Sequence, residues 1–223
     1  MLIDDYVADL GRALAGPAGP KRDLVVEARD SLADAADALE AEGIDRAEAE
    51  RMAVAEFGEV AEIAPGYQDE LTAAAGRRLA AVLFLSLPVS VLIWSMVWRI
   101  YPDSGAAWED RPAWYGPIAR VLDCLQAGGG VYGGFALAAL SRGGRWIRRP
   151  RLVTRSLGLA VMILLPLCGL LSSALTAVSG LPSDFDTLVP VMLAELVTSA
   201  FWGVQLYGAT RCLRLTRTAP ATA

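Results

Sequence analysis

Glu195 is the side chain whose surroundings most strongly suggest chemistry. It lies inside an apolar run over residues 187–210, where a carboxylate is costly to bury and often marks an ion or substrate pathway. The same group can instead be protonated, or hydrogen-bonded to a neighbouring helix, and so stabilise helix packing. Both interpretations stay open, and the packing role is the one we favour.

Arg120 and Asp123 form the second candidate, because they stand three residues apart at the start of another apolar run. On a helix this spacing puts the two side chains on one face, so they can form an ion pair near a membrane surface. An ion or solute path through Asp123 is the alternative. Glu195, Asp123 and Arg120 are therefore the candidate polar residues of the membrane region.

Glycines at helical spacing form a third feature, since residues 128–134 read GGGVYGG. Gly129 with Gly133, and Gly130 with Gly134, each have the Gly-x-x-x-Gly spacing that lets two helix backbones approach closely. A phosphate-binding loop would need a following Lys and a Ser or Thr, which are missing. We therefore predict helix packing at these glycines, either within one chain or between chains of a homo-oligomer.

Groups that catalyse reactions or bind metals are scarce. The chain has no histidine, and its three cysteines, Cys124, Cys168 and Cys212, show no Cys-x-x-Cys spacing. We expect neither a metal site nor a bound cofactor. No pair of catalytic carboxylates, nucleophile elbow or Cys–His pair is recognisable. The expectation is a protein that is not an enzyme.

Charge divides the chain into two regions. Residues 1–76 carry 18 acidic and 6 basic side chains, whereas residues 77–223 carry 7 acidic and 14 basic ones. Direct binding of nucleic acid by the acidic region is disfavoured, because neutralising phosphates requires clustered Lys and Arg. A protein partner is the better expectation for this region.

Residues 1–75 have a helical pattern throughout. A first helix carries Leu10 and ends at the Gly and Pro residues 16–20, and a second continues to about Gly43. Asp45 with Glu48 three residues later predicts a capped third helix that ends near Gly58. A fourth segment, broken or bent at residues 65–66, leads into a short link at residues 76–78. These elements predict a small cytoplasmic helical bundle.

Apolar runs of membrane-spanning length follow from residue 79. The mean hydropathy of the chain is +0.40, and roughly 20 apolar residues span a bilayer as a helix. We predict four spans, at about residues 79–99, 118–141, 156–180 and 187–210, in a membrane domain of residues 76–217 with a tail at 218–223. The predicted fold class is all-α, a small cytoplasmic bundle followed by a four-helix transmembrane bundle.

Arginine placement predicts the orientation of these spans. The connection between the second and third spans, residues 141–155, holds six arginines and no acid, and such connections stay in the cytoplasm. With four spans, both termini are then cytoplasmic in a multi-pass protein of the cell membrane. The connection could also bind anionic lipid or the acidic domain, although topology alone explains it.

The N-terminal third also resembles a known family. The elements that carry the resemblance are Tyr6-x-x-x-Leu10, Leu14-Ala15-Gly16-Pro17, Lys21-Arg22-Asp23-Leu24, Glu27-x-Arg29-Asp30-x-Leu32-x-Asp34-Ala35, Gly43 and Ala53-x-Ala55-Glu56-Phe57-Gly58. Residues 6–64 thereby resemble the HAAS-type domain of actinobacteria, also called the permease prefix domain. Members of that family place this domain ahead of membrane spans, often beside genes for PadR-like transcription regulators, and some precede transporter permeases.

The resemblance implies a regulatory or signalling role at the membrane, with the N-terminal domain as a docking module and no catalytic residues. Charged positions inside the matching elements are the candidate docking residues, namely Arg22, Glu27, Asp30 and Asp34. We expect a membrane protein that binds a cytoplasmic partner, for which a PadR-like regulator is the first candidate. The alternative is a small transporter or permease-associated subunit, in which Glu195 and Asp123 line a path.

Overall fold

The protein is helical wherever the structure describes it. The structure, a computed structural model, describes residues 2–101, 111–141, 150–179 and 185–217, and these residues contain helices without any strand. The helices are α1 (Leu2–Ala13), α2 (Ala18–Ala41), α3 (Arg46–Phe57), α4 (Val60–Ile100), α5 (Tyr115–Ser141), α6 (Pro150–Ser179) and α7 (Phe185–Arg217). The prediction of an all-α fold is confirmed. Most of the predicted basic connection, residues 142–149, and the predicted tail, residues 218–223, lie outside the described residues.

The chain divides into two compact units. The first contains Met1–Ala75 and is joined by residues 215–217 at the end of α7, and the second is Gly76–Arg214. Helices α1, α2 and α3 pack on one another in the first unit, and α5 packs along α6 in the second. The boundary between the units falls inside α4 rather than between two elements.

The first unit has a small core of leucines and alanines. Leu10, Leu32 and Leu71 are fully buried, and Ala28 and Ala36 of α2 are buried with them. An edge-to-face contact joins the rings of Tyr6 and Phe57, whose centroids are 5.9 Å apart. Because Ala28, Leu32 and Ala36 all lie on one side of α2, that side faces the core and the charged side of α2 faces outward.

Local signals determine both ends of α3. The backbone N–H of Ala47 donates to Asp45 Oδ2 over 3.1 Å, so Asp45 caps the first turn as its position predicts. Glu48 pairs with Arg51 instead. At the other end Gly58 has a φ of +104°, a conformation that residues with a side chain rarely adopt.

The helix is not broken at residues 65–66, because α4 runs without interruption from Val60 to Ile100; the alternative, a bend there, stays a prediction. Pro65 is the sixth residue of this helix, so its missing N–H removes only the bond to the carbonyl of Ala61 in the first turn. A proline so close to a helix start can be tolerated where one in the interior would break the helix. Gly66 costs about 1 kcal/mol relative to alanine in a helix, which does not end it.

Gly76, predicted to belong to a short link, is instead a packing position inside α4. A Cβ atom added there would overlap Thr154 Oγ1 and would lie 2.8 Å from Leu140 Cδ1. Thr154 and Leu140 belong to α6 and α5 and are both buried. The missing side chain therefore lets three helices of the second unit meet closely.

Three helical segments among the described residues are long and apolar enough to cross a membrane, namely Val60–Val97, Pro150–Val178 and Leu188–Arg217. This finding indicates a membrane protein. Helix α5 is not among them, although it has 27 residues, because its glycines, Gln126 and Asp123 lower its average apolarity. A fourth span along α5 stays a prediction.

Candidate functional site

The first candidate site is a row of carboxylates on the outer side of α2. Asp23, Glu27, Asp30 and Asp34 are all exposed, and their spacing of four, three and four residues places them along one face of the helix. The opposite face of α2 is buried in the core of the first unit. Burial of that face holds the four carboxylates toward the solvent.

The four predicted docking residues lie together on this face. Arg22, Glu27, Asp30 and Asp34 line one shallow concave surface, which we call the acidic groove and which also includes Asp23, Val26 and Ser31. The nearest distance between Arg22 Nε and Asp23 Oδ1 is 3.9 Å, with both side chains largely exposed. Val26 adds an apolar side chain that is 49% exposed. The groove thus combines negative charge with one apolar contact.

Ion pairing differs sharply along α2. Near its C-terminal end, Arg46 forms ion pairs with Asp37 and Glu40, and hydrogen bonds to Asp37 first and Glu40 second raise the pKa of Arg46 above its usual value. Among the described residues, Asp30 and Asp34 have no such cation. Their charges are therefore available to a partner, while those of Asp37 and Glu40 are compensated within the chain.

The field of the acidic groove also acts on a neighbouring tyrosine. Burial raises the pKa of Tyr67, and the negative charges of Glu27 and Glu70 raise it further. The phenol of Tyr67 therefore stays neutral at physiological pH. It can contribute a neutral hydrogen-bonding group but no charge of its own.

The predicted polar residues of the membrane region do not converge. Glu195 is exposed on α7 between exposed apolar side chains such as Leu193 and Leu196, and it has no hydrogen bond or ion pair among the described residues. Arg120 and Asp123 are exposed on α5, and within the described part of the chain no ion pair joins them. The structure thus brings none of the three together.

The predicted packing glycines lie against helices of the same chain. Gly129, Gly130 and Gly133 are buried on α5. A Cβ atom at Gly133 would lie 3.1 Å from Leu83 Cβ and 3.2 Å from the carbonyl oxygen of Ala80. A Cβ atom at Gly134 would lie 3.0 Å from the ring of Phe84, and a Cβ atom at Gly129 would lie 3.5 Å from Leu164. These contacts join α5 to α4 and α6. Assembly of several chains through this face stays a prediction.

The second candidate site is a cavity of about 100 Å³ in the second unit, lined by residues of α4, α5, α6 and α7. In its lining, Gln205 Nε2 donates to Ser86 Oγ over 2.8 Å, and Ser86 Oγ donates to the carbonyl oxygen of Leu83 over 3.1 Å. Gln126 of α5 contributes a second amide. The sequence analysis named Gly129 and Gly130 of the lining for helix packing alone, and its polar candidates were all charged. An uncharged amide inside an apolar run, such as Gln205, is also a signal for buried polar contacts.

The comparisons with known proteins add no further assignment. No protein-family model matches the chain, and neither the curated proteins nor the solved structures contain a match. The resemblance of residues 6–64 to the HAAS-type domain therefore stays a prediction based on the residues that carry it.

Proposed function

We propose that this protein is a non-enzymatic membrane regulator whose N-terminal unit lies in the cytoplasm and binds a partner protein through the acidic groove. The first candidate for the partner is a PadR-like transcription regulator, as the resemblance of residues 6–64 implies. The membrane helices anchor this docking unit at the inner surface of the cell membrane.

The observation that carries the proposal is the uncompensated charge of the acidic groove. Asp30 and Asp34 are exposed and without an intramolecular cation, whereas Asp37 and Glu40 on the same helix are paired with Arg46. A partner with a complementary basic surface would associate faster through charge attraction, and Val26 in the lining of the groove offers an apolar contact.

The proposed membrane part is a four-helix bundle with both termini in the cytoplasm. Besides the three apolar segments, the bundle includes α5, which is its second span in chain order. The 27 residues of α5 extend over about 40 Å at ~1.5 Å per residue, more than the roughly 30 Å of hydrocarbon in a bilayer. Packing of α5 on α6 and the close approach of Gly133 to α4 support its place among the spanning helices. Reporter fusions should then place both ends inside, whereas three spans would place them on opposite sides.

The docking proposal is tested by co-purification of the full-length protein with PadR-like regulators encoded beside its gene. The variant Asp30→Lys with Asp34→Lys should lose the partner, because it reverses the charge of the groove. The matched control is Asp5→Lys with Glu56→Lys, which makes the same change in net charge at exposed positions of α1 and α3. Binding should also weaken as salt increases, since charges on exposed surfaces are screened.

Two results would reject the docking proposal. One is that no neighbouring regulator binds the parent protein, and the other is that the groove variant and the control variant bind equally well. Retention of the partner by the control alone would locate the interaction on α2.

The alternative is a small transporter or permease-associated subunit, and the cavity in the second unit is the observation that favours it. Neither Glu195 nor Asp123 lines this cavity, so a path through it would use uncharged groups. Solute flux into vesicles that contain the protein should then depend on Gln205 and be unaffected by Glu195→Gln. If none of the tested solutes is transported, the docking role is the better explanation.

A further inference from the structure

The cavity in the second unit is lined by the side chain of Gln205, and in the described part of the chain only one end of its amide forms a hydrogen bond. Gln205 is 4% exposed and lines the cavity, and one end of its amide bonds to Ser86. The other end has no hydrogen-bond partner among the described residues. The carbonyl oxygen at this end is not enclosed by protein atoms, so it is open to a hydrogen-bonding partner within the cavity.

A second amide faces the same space. Gln126 of α5 lines the cavity and has no hydrogen bond within the described part of the chain. An amide offers both a carbonyl acceptor and N–H donors. The cavity therefore presents donors and acceptors from two helices, and a molecule that carries both kinds of group matches it best.

The rest of the lining limits the charge and size of an occupant. No Asp, Glu, Lys or Arg lines the cavity among the described residues, so a charged molecule would lose its hydration without gaining a counter-charge. The volume of about 100 Å³ is somewhat less than the roughly 150 Å³ of an apolar cavity that holds benzene. A molecule of a few heavy atoms fits.

Burial varies among the residues that line the cavity. Leu83, Ser86 and Gln205 are buried, whereas Trp94 and Thr198, about two turns from Ser86 and Gln205 along α4 and α7, are only half-buried. The half-buried lining also includes the aromatic side chains Phe201 and Trp202, which supply apolar contact surface. Small-molecule sites commonly combine an apolar wall with a few polar groups that orient the ligand.

We propose that the cavity among α4, α5, α6 and α7 is a binding site for a small uncharged amide or alcohol, whose polar group bonds to Gln126 and Gln205. This role goes beyond partner docking by the first unit and does not depend on it. Ligand binding here would fill the space between all four helices of the second unit.

Cys168 provides a reporter for the test, because it is buried and lines the cavity, while Cys124 is exposed on α5 and does not line it. The full-length protein in lipid nanodiscs is treated with methyl methanethiosulfonate, a small neutral thiol reagent, and modification of each cysteine is followed by peptide mass spectrometry. Propionamide should slow the modification of Cys168 several-fold and leave that of Cys124 unchanged. Propionate and propylammonium, which are charged molecules of similar size, should not protect Cys168.

Variants assign the protection to the two amides. Gln126→Leu and Gln205→Leu should each abolish the protection of Cys168 by propionamide. Because Gln126 is only half-buried, its replacement is the safer test if Gln205→Leu fails to fold. Glu195→Gln is the matched control on α7, because Glu195 is exposed and outside the cavity, and it should keep full protection.

Four results would overturn the proposal. The first is that the reagent modifies Cys124 but never Cys168, and the second is that the charged molecules protect Cys168 as well as propionamide does. The third is that propionamide protects Cys168 equally well in Gln126→Leu. The fourth is that propionamide does not slow the modification of Cys168 at all. The last result would mean that propionamide does not bind in the cavity.

Discussion

Both units of this protein bury apolar side chains, but they expose opposite kinds of side chain. In the first unit leucines such as Leu10 and Leu32 are buried, and ion pairs cover the surface. In the second, Ser86, Thr154 and Gln205 are buried beside apolar side chains such as Leu157. Large apolar side chains are exposed on all four of its helices, with Leu92, Phe135, Ile163 and Leu196 as examples. Among the described residues of the first unit, only Leu2, Val26 and Met52 are exposed in this way.

The difference is the one expected when one unit lies in water and the other is surrounded by lipid. Water drives apolar side chains into the core of the first unit. Lipid tails are as apolar as leucine, so helices in a bilayer gain little from burying leucine and associate largely through close backbone approach and polar contacts. Gly133 against Ala80 and Gln205 against Ser86 are contacts of this second kind.

The largest expected effect concerns the core of the first unit. Leu32→Ala should lower the free energy of unfolding of that unit by about 2–5 kcal/mol, because Leu32 is fully buried and the change leaves a cavity. Hydrogen exchange of the α1, α2 and α3 amides in the full-length protein measures the loss. Val26→Ala on the exposed side of the same helix should change it little, and equal losses in both variants would contradict a core built on burial.

A charge placed on the exposed surface of the second unit tests whether that surface faces lipid. Leu92 is 69% exposed, and Leu92→Arg should disfavour membrane insertion by about 2.5–3.5 kcal/mol if it lies near the centre of a span. The fraction of chain that resists alkaline extraction from membranes measures insertion. Val26→Arg in the first unit should insert like the parent, and normal insertion of Leu92→Arg would argue that this surface faces water.

Close packing in the second unit is tested at Gly76. Gly76→Ala should destabilise the unit by about 1–3 kcal/mol, because the added Cβ overlaps Thr154 and approaches Leu140. Gly128→Ala is the matched control, since a Cβ there meets nothing within 4 Å, and it should be neutral or slightly stabilising. Thermal unfolding in detergent separates the two, and the prediction fails if both midpoints move alike.

The smallest effect concerns a buried hydrogen bond in the first unit. Tyr6 Oη donates to the carbonyl oxygen of Gly58 over 2.9 Å, so Tyr6→Phe should cost about 0.5–1.5 kcal/mol. Burial, and then the charge of Tyr67, raise the pKa of Tyr6 above its usual value of 10.0. The folded state therefore favours the neutral phenol. The contribution of Tyr6 to stability is fully present below pH 10 and is lost as the pH rises through the raised pKa of Tyr6.

Unfolding measured on both sides of pH 10 checks the alkaline loss. Tyr6→Phe should reduce the loss without removing it, because the pKa of Tyr67 is raised as well. An alkaline loss in Tyr6→Phe as large as in the parent would exclude Tyr6 as its source.

Local signals in the sequence predicted the helices well where one residue decides an end. Asp45 and Gly58 marked the ends of α3, because a capping side chain and a glycine with positive φ act within one turn. Residues 65–66 misled the prediction of a break, since the effect of a proline depends on how far it lies from the helix start. That distance could not be known before the start at Val60 was known.

The candidate sites were predictable to different degrees. The carboxylates of α2 repeat at helical spacing within one element, so their common face follows from the sequence. The cavity joins Ser86, Gln126 and Gln205, which are far apart in the chain and come together only through helix packing. No local pattern connects such residues, and the resemblance of residues 6–64 does not extend to them.

The unbroken course of α4 has a practical meaning for work with fragments. A chain cut after Ala75 would end in the middle of a helix, and the carbonyl groups of residues 72–75 would lose the N–H donors of the next turn. Thr72, Ala74 and Ala75 are also buried, so the new end would expose surface that is normally covered. A water-soluble version of the first unit should therefore carry at least one extra helical turn, with its apolar positions replaced by polar residues.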